Sequence, residues 1–139
     1  MRIYITHGST QKDDSLKNTN KKAYPDKLYT SALAQGFMWR CKLKKVNWAI
    51  LSSFYGIWFP NMKYKWYEKY PSSIVKRGIV KDSEKFNELL IDFDQKLHDF
   101  SEIWFYCNPK RLHSLYKELL HETSLKDKIK IFSQKDKII

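Results

Sequence analysis

Long apolar runs are missing from this 139-residue sequence, and no window approaches the roughly 18 consecutive apolar residues of a membrane-spanning helix. Cysteine is scarce as well. The two residues, Cys41 and Cys107, lie far apart, one in an expected helix and one at an expected strand end. The reading is two buried free thiols; one disulfide stays open as an alternative, but two cysteines make no disulfide framework. No Cys/His cluster stands at ligand spacing, so neither a structural metal site nor a cofactor is expected. Familiar catalytic signatures are also absent. There is no Gly-Lys-Ser/Thr phosphate loop and no Gly-X-Ser-X-Gly nucleophile elbow. Met1–Thr6 reads as a strand and lacks the apolar core and small-residue cleavage site of a signal peptide, so a cytoplasmic location is expected. Without internal repeats or low-complexity linkers, residues 1–139 read as one domain, long enough to bury a core.

Acidic residues are the last scarcity, and a local one. Residues 1–80 hold 15 Lys and Arg against four acids (Asp13, Asp14, Asp26 and Glu68), whereas residues 81–139 hold 11 of each sign. The whole net charge of +11 therefore lies in the first part of the chain. A general lysine bias is the competing explanation, but it would show in the second part too. A one-signed field on one face favours a polyanionic partner. Nucleic acid is the partner expected, DNA ahead of RNA, with a free nucleobase ligand as the other form and no membrane.

What is abundant is aromatic side chains, 16% of residues, concentrated in Trp48–Pro71. Trp48–Leu51 reads as a buried strand, and the chain beyond it interleaves rings with lysines. The remaining elements follow from periodicity and capping. Arg2–Thr6 alternates as a first strand, with His7-Gly8-Ser9-Thr10 at its end. Residues 11–25 are polar and aperiodic and read as a mobile loop. Pro25-Asp26 opens a helix whose Leu28, Ala32, Leu33, Phe37 and Cys41 share one face. Its last-turn lysines are explained by the helix dipole. Ile74–Val80 reads as a short helix or an edge strand. Asp82-Ser83-Glu84 starts a helix running to about Ser101, with Phe86, Leu89, Leu90, Phe93, Leu97 and Phe100 as its stripe. Ile103–Cys107 is a continuous apolar run, as in a central parallel strand. Asn108-Pro109 then reads as N-cap and N1 of another helix, and Lys128–Phe132 as the last strand. Strands alternating with helices predict an α/β fold, a three-layer domain with a mostly parallel sheet of about four strands. His7–Thr10, Ser52–Gly56 and Asn108–Arg111 would then share the carboxyl edge, where ligands bind in such sheets.

Four blocks, Leu28-Tyr29-Thr30-Ser31, Leu51-Ser52-Ser53-Phe54-Tyr55-Gly56, Pro60-Asn61 and Tyr67-Glu68, resemble the pattern of a small α/β family distantly similar to YaaA-like proteins. The match covers roughly residues 1–70, with Asn61 where Asp is usual and Phe54 where Lys or Leu is common. The resemblance implies an α/β fold with these motifs around one cleft, and a nucleic acid or nucleobase as ligand.

Two kinds of candidate site residue follow. Glu68 is the one carboxylate in the basic aromatic arm and suits a general base activating water at a glycosidic carbon. Its competing role is a surface ion pair with Lys65 or Lys69, which is worth little. Candidate binding residues are His7, Ser9, Tyr29, Ser31, Ser52, Tyr55, Gly56, Asn61, Lys63, Lys65, Trp66 and Tyr67. Bases stack on aromatic faces for about 1–3 kcal/mol each while lysines track phosphates. The competing role for the rings is packing the arm onto the sheet, the stronger reading for Trp58 and Phe59. His98, His113 and His121 are assigned to helix surfaces. The expected function is a nucleic-acid-directed protein with a nucleobase-handling cleft, its enzymatic form being an N-glycosylase-type hydrolase. Two alternatives stay open: a non-catalytic DNA- or RNA-binding module, and a small-molecule nucleoside or nucleotide enzyme.

Overall fold

A computed structural model describes residues 1–9, 11–67 and 83–139. In chain order the elements are β1 (Arg2–His7), β2 (Lys22–Ala23), α1 (Pro25–Leu28), α2 (Ala32–Lys44), β3 (Asn47–Ser52), β4 (Gly56–Trp58), β5 (Tyr64–Lys65), α3 (Glu84–Leu97), β6 (Glu102–Tyr106), α4 (Ser114–Glu122) and β7 (Ile129–Phe132). The fold is α/β, built on a mostly parallel five-stranded sheet in the order β4-β3-β1-β6-β7, with β2 and β5 as a second, two-stranded sheet. The expected stretch Ile74–Val80 lies outside the described residues.

Local chemistry explains most boundaries. α3 starts because the Ser83 side chain accepts the Phe86 N–H at 3.2 Å, and Phe86, Leu89, Phe93 and Leu97 bury its apolar stripe. α2 ends at Lys45, which adopts the left-handed conformation of a C-cap. Four expectations are corrected. The helix read from Pro25 is interrupted: Tyr29 is extended and bridges to Lys12, and Thr30 N–H donates to Gln11 O at 3.1 Å. The helix then restarts on a Ser31 cap, whose side chain accepts the Ala34 N–H. Asn108-Pro109 opens no helix. Asn108 Oδ1 turns back to accept the Lys110 N–H at 3.1 Å, and His113 caps α4 through Nδ1. The sheet has one strand more than expected, because Gly56, at φ +78°, lets the chain reverse after β3 and return antiparallel as β4. The segment read as a loop over residues 11–25 contains β2, which pairs with β5 (Lys22 opposite Lys65, Ala23 opposite Tyr64).

Successive residues of a strand point to opposite faces, and the core divides accordingly. Ile3 and Ile5 pack in one cluster with Phe86 and Phe93 of α3 and Leu115 and Leu119 of α4. Tyr4 belongs to another with Phe37, Met38 and Cys41 of α2, Trp48, Ile50 and Trp58. Cys41 and Cys107 are free and buried. Among the described residues no helix is long and apolar enough to cross a membrane.

The pairing register places the site. β1 lies between β3 and β6, parallel to both, with His7 opposite Leu51 and Thr6 opposite Tyr106; Tyr106 in turn stands opposite Phe132 of β7. The carboxyl ends of all four parallel strands thus form one edge. The chain leaves β1 for β3 on one side and later reaches β6 on the other, so the order reverses at β1, where ligands bind in open parallel sheets.

Candidate functional site

At the end of β1, Gly8 N–H donates to Leu51 O at 2.8 Å, tying that edge to β3. The half-buried His7 ring stacks on Tyr116 of α4, 5.2 Å between centroids and 24° apart. Its Nδ1 sits 2.8 Å from Gly8 O. A carbonyl only accepts, so Nδ1 carries the hydrogen and Nε2 keeps a lone pair that no described residue takes up. Burial lowers the imidazole pKa, which favours this neutral form. Beside it stand the buried Ser53 and the buried Tyr116 hydroxyl, whose ionisation is pushed well up by burial.

On the neighbouring side of the same strand ends, three hydroxyls from three sequence-distant segments meet. The Tyr29 and Tyr67 hydroxyls share a short hydrogen bond, and Ser52 Oγ lies 3.3 Å from the Tyr67 hydroxyl and also interacts with Tyr29. Burial raises both phenol pKa values, so both stay protonated near neutral pH. Ser52 Oγ accepts the N–H groups of Phe54 and Tyr55 at 3.1 and 3.0 Å, which fills its two lone pairs. Ser52 must therefore donate its own proton to a phenol, and neither phenol can donate to it. One bond then joins the phenols, and of three hydroxyl protons one is left over. The cluster is a net donor. Gly8 is fitted to it: a Cβ there would stand 2.9 Å from the Tyr29 hydroxyl.

Lys12 covers this cluster. Its side chain is buried, with 8% exposure, and its ammonium lies 4.3 Å from the centre of the Tyr67 ring. No carboxylate or carbonyl of the described residues hydrogen-bonds it. Burial pushes its pKa down to about 8, with Asp14 pulling weakly the other way.

The remaining expected residues divide between structural duties and solvent. Ser31 caps α2, and Ser9 Oγ accepts the Gln11 N–H at 3.1 Å. Tyr55 stacks on Tyr64 at 4.3 Å and donates its hydroxyl to Lys65 O. Trp58 is fully buried. Phe54 stacks on Tyr67, 5.4 Å and 13° apart. Gly56 belongs to the turn into β4, where a Cβ would come within 2.1 Å of Asp92 Oδ2. Trp66 is half-buried under Lys17, 5.2 Å away, with its indole N–H buried and unbonded. Asn61, Lys63 and Lys65 are exposed, Lys63 lying 4.9 Å over the Tyr24 ring. Glu68, assigned the base role, lies outside the described residues, as does Thr10. Of the histidines read as surface residues, His98 and His121 are exposed, whereas His113 is half-buried at its cap position.

Sequence reasoning missed Lys12, a lysine in a polar stretch with nothing in its neighbours to signal burial. It also missed a crevice of about 650 Å³ along the same edge, lined by Leu33, Tyr106, Cys107, Asn108, Lys110 and Ser133 among others. That volume lies within the range of small-ligand sites, about 300–1,000 Å³. Among the described residues no group of three or more His, Cys, Asp or Glu stands close enough to hold a metal ion. Comparison with protein-family models, with curated proteins and with solved structures gave no match.

Proposed function

We propose that this chain is a nucleoside- or nucleotide-handling protein whose small ligand seats at the carboxyl edge of β1, β3 and β6. The observation that carries the reading is the division of labour in the aromatic arm. Tyr55, Tyr64, Trp58 and Tyr67 stack on one another or on the core, which leaves few open faces for the bases of an extended strand. The polar atoms gather instead at the strand ends: the donor cluster of Tyr29, Ser52 and Tyr67, the neutral His7 and the ligand-sized crevice beside Tyr106 and Asn108. Tyr29, Ser52 and Tyr67 come from three of the four blocks that resemble the YaaA-like pattern, which supports a nucleobase as the group recognised. The two core clusters support a single three-layer domain as the scaffold. In its enzymatic form the protein would hydrolyse an N-glycosidic bond, with Glu68, the residue after Tyr67, as the base.

A second reading, a site for a DNA or RNA strand, is favoured by the charge. The +11 of residues 1–80 includes the exposed Lys63 and Lys65 of the arm. Calorimetric titration separates the two. Nucleobases, nucleosides, nucleotides and single-stranded 12-mers are titrated at two salt concentrations. The small-ligand reading expects 1:1 binding that varies little with salt and weakens at least tenfold when Leu33→Trp fills the crevice. Binding confined to oligonucleotides, falling steeply with salt as released counterions require, would transfer the conclusion to the second reading. Release of free base from nucleosides or from duplexes with modified bases, abolished by Glu68→Gln, is the readout for catalysis.

A further inference from the structure

We infer that Lys12 is the anion-binding residue of this site and that the ligand carries a phosphate monoester. The inference rests on the small-ligand reading above and adds the group that Lys12 would hold. A buried ammonium ordinarily has a carboxylate or carbonyls around it, because it loses its hydration and must replace it. Lys12 keeps only 8% of its surface exposed. Among the described residues its one close partner is the face of Tyr67, 4.3 Å away, which attracts the charge but accepts no hydrogen bond of ordinary strength. Asp14 acts on it from a distance, without an ion pair. Among the described residues no acceptor takes the three N–H donors of Lys12, and the amine itself is not sealed from solvent.

The surroundings have the same polarity. The phenol pair beneath, built on the same Tyr67 ring, has one hydroxyl proton left over, since both lone pairs of Ser52 Oγ are taken by backbone N–H groups. Among the described residues an ammonium beside a surplus O–H makes a corner rich in donors, complementary to an oxygen-rich anion. The fold also fixes where Lys12 stands. Its backbone bridges to Tyr29, and the flanking Gln11 O and Asp13 N–H bond Thr30 and Leu28. The amine is thus anchored to the segment that supplies the Tyr29 hydroxyl.

The experiment titrates adenosine, guanosine, cytidine and uridine, their 5′-monophosphates and inorganic phosphate against the wild type, Lys12→Met and Lys12→Arg. At least one monophosphate is expected to bind tenfold or more tighter than its nucleoside. Lys12→Met should erase that ratio, and Lys12→Arg should keep most of it. Nucleosides that bind with no gain from the phosphate would overturn the inference and leave the small-ligand reading standing. Phosphate held through Lys12 with no nucleoside bound would keep the inference and remove the nucleoside. No binding of any probe would remove both. Urea denaturation of the free protein provides a ligand-independent check. Lys12→Met removes a largely buried charge that no described residue hydrogen-bonds, so its midpoint should equal or exceed that of the wild type. A lowered midpoint would mean that Lys12 already has its partner within the fold, and would overturn the inference.

Discussion

Gly56→Ala is the substitution whose cost the structure specifies most closely. Gly56 has φ +78°, and an L-residue held in a left-handed conformation loses about 1–2 kcal/mol. The added Cβ would also fall 2.1 Å from Asp92 Oδ2, far inside contact, so the carboxylate must move. That oxygen accepts the Ile57 N–H at 2.7 Å, and Ile57 is 1% exposed. Leaving such an N–H unpaired costs about 1–3 kcal/mol. The Asp92–Lys96 ion pair at 2.8 Å is partly exposed and adds little. The expected destabilisation is therefore about 2–5 kcal/mol, read as a fall in the urea midpoint at constant slope. Asp92→Ala alone should cost only the lost hydrogen bond. In the double variant that bond is lost once rather than twice, so the two changes should be non-additive by about 1–3 kcal/mol. Additive costs, or a Gly56→Ala variant within about 0.5 kcal/mol of wild type, would refute the assignment of Gly56 to the β3–β4 turn and return it to the ligand site.

Two further predictions concern the hydroxyl cluster and Lys12. Tyr67→Phe removes the bonds that Tyr29 and Ser52 make to its hydroxyl and should lower stability by about 1–3 kcal/mol; a midpoint unchanged within error would show that the three hydroxyls do not act together. The amine of Lys12, facing the Tyr67 ring with Asp14 as its charged neighbour, has a folded pKa of about 8 against an ordinary 10.5. Between those values the unfolded chain binds the extra proton, so stability should rise with pH above about 8. The buried phenols of Tyr29, Tyr67 and Tyr116, with raised pKa values, reverse the trend only near pH 10, where the unfolded phenols ionise. The rise should be absent in Lys12→Met, and a wild-type curve that is flat from about pH 8 to 9.5 would refute it.

The elements readable from the sequence were those whose cause is local. β1, β3, β6 and β7 appear as apolar runs or alternations, and α3 as a stripe behind a serine cap, because periodicity and capping act within a few residues. The α/β class and the shared strand edge follow from their order. The interruption of the first helix at Tyr29 was not readable, since it depends on pairing with Lys12, which lies 17 positions earlier. Nor was β4: Gly56 signals a turn, but the strand beyond it needs β3 as its partner.

The candidate site divides in the same way. Tyr29, Ser52 and Tyr67 stood out as polar or aromatic residues beside expected strand and helix ends, and the fold joins their hydroxyls. Whether a given ring faced solvent or its neighbours was a question of packing, and Tyr55, Trp58 and Tyr64 are held by contacts among themselves. The charge imbalance, the aromatic content and the strand–helix alternation belong to the sequence alone, for each is a sum or a period along the chain. The burial of Lys12 was decided only in three dimensions. A lysine side chain is largely buried by segments that meet across the fold, here those of Lys12, Tyr29 and Tyr67, and no local pattern records that meeting.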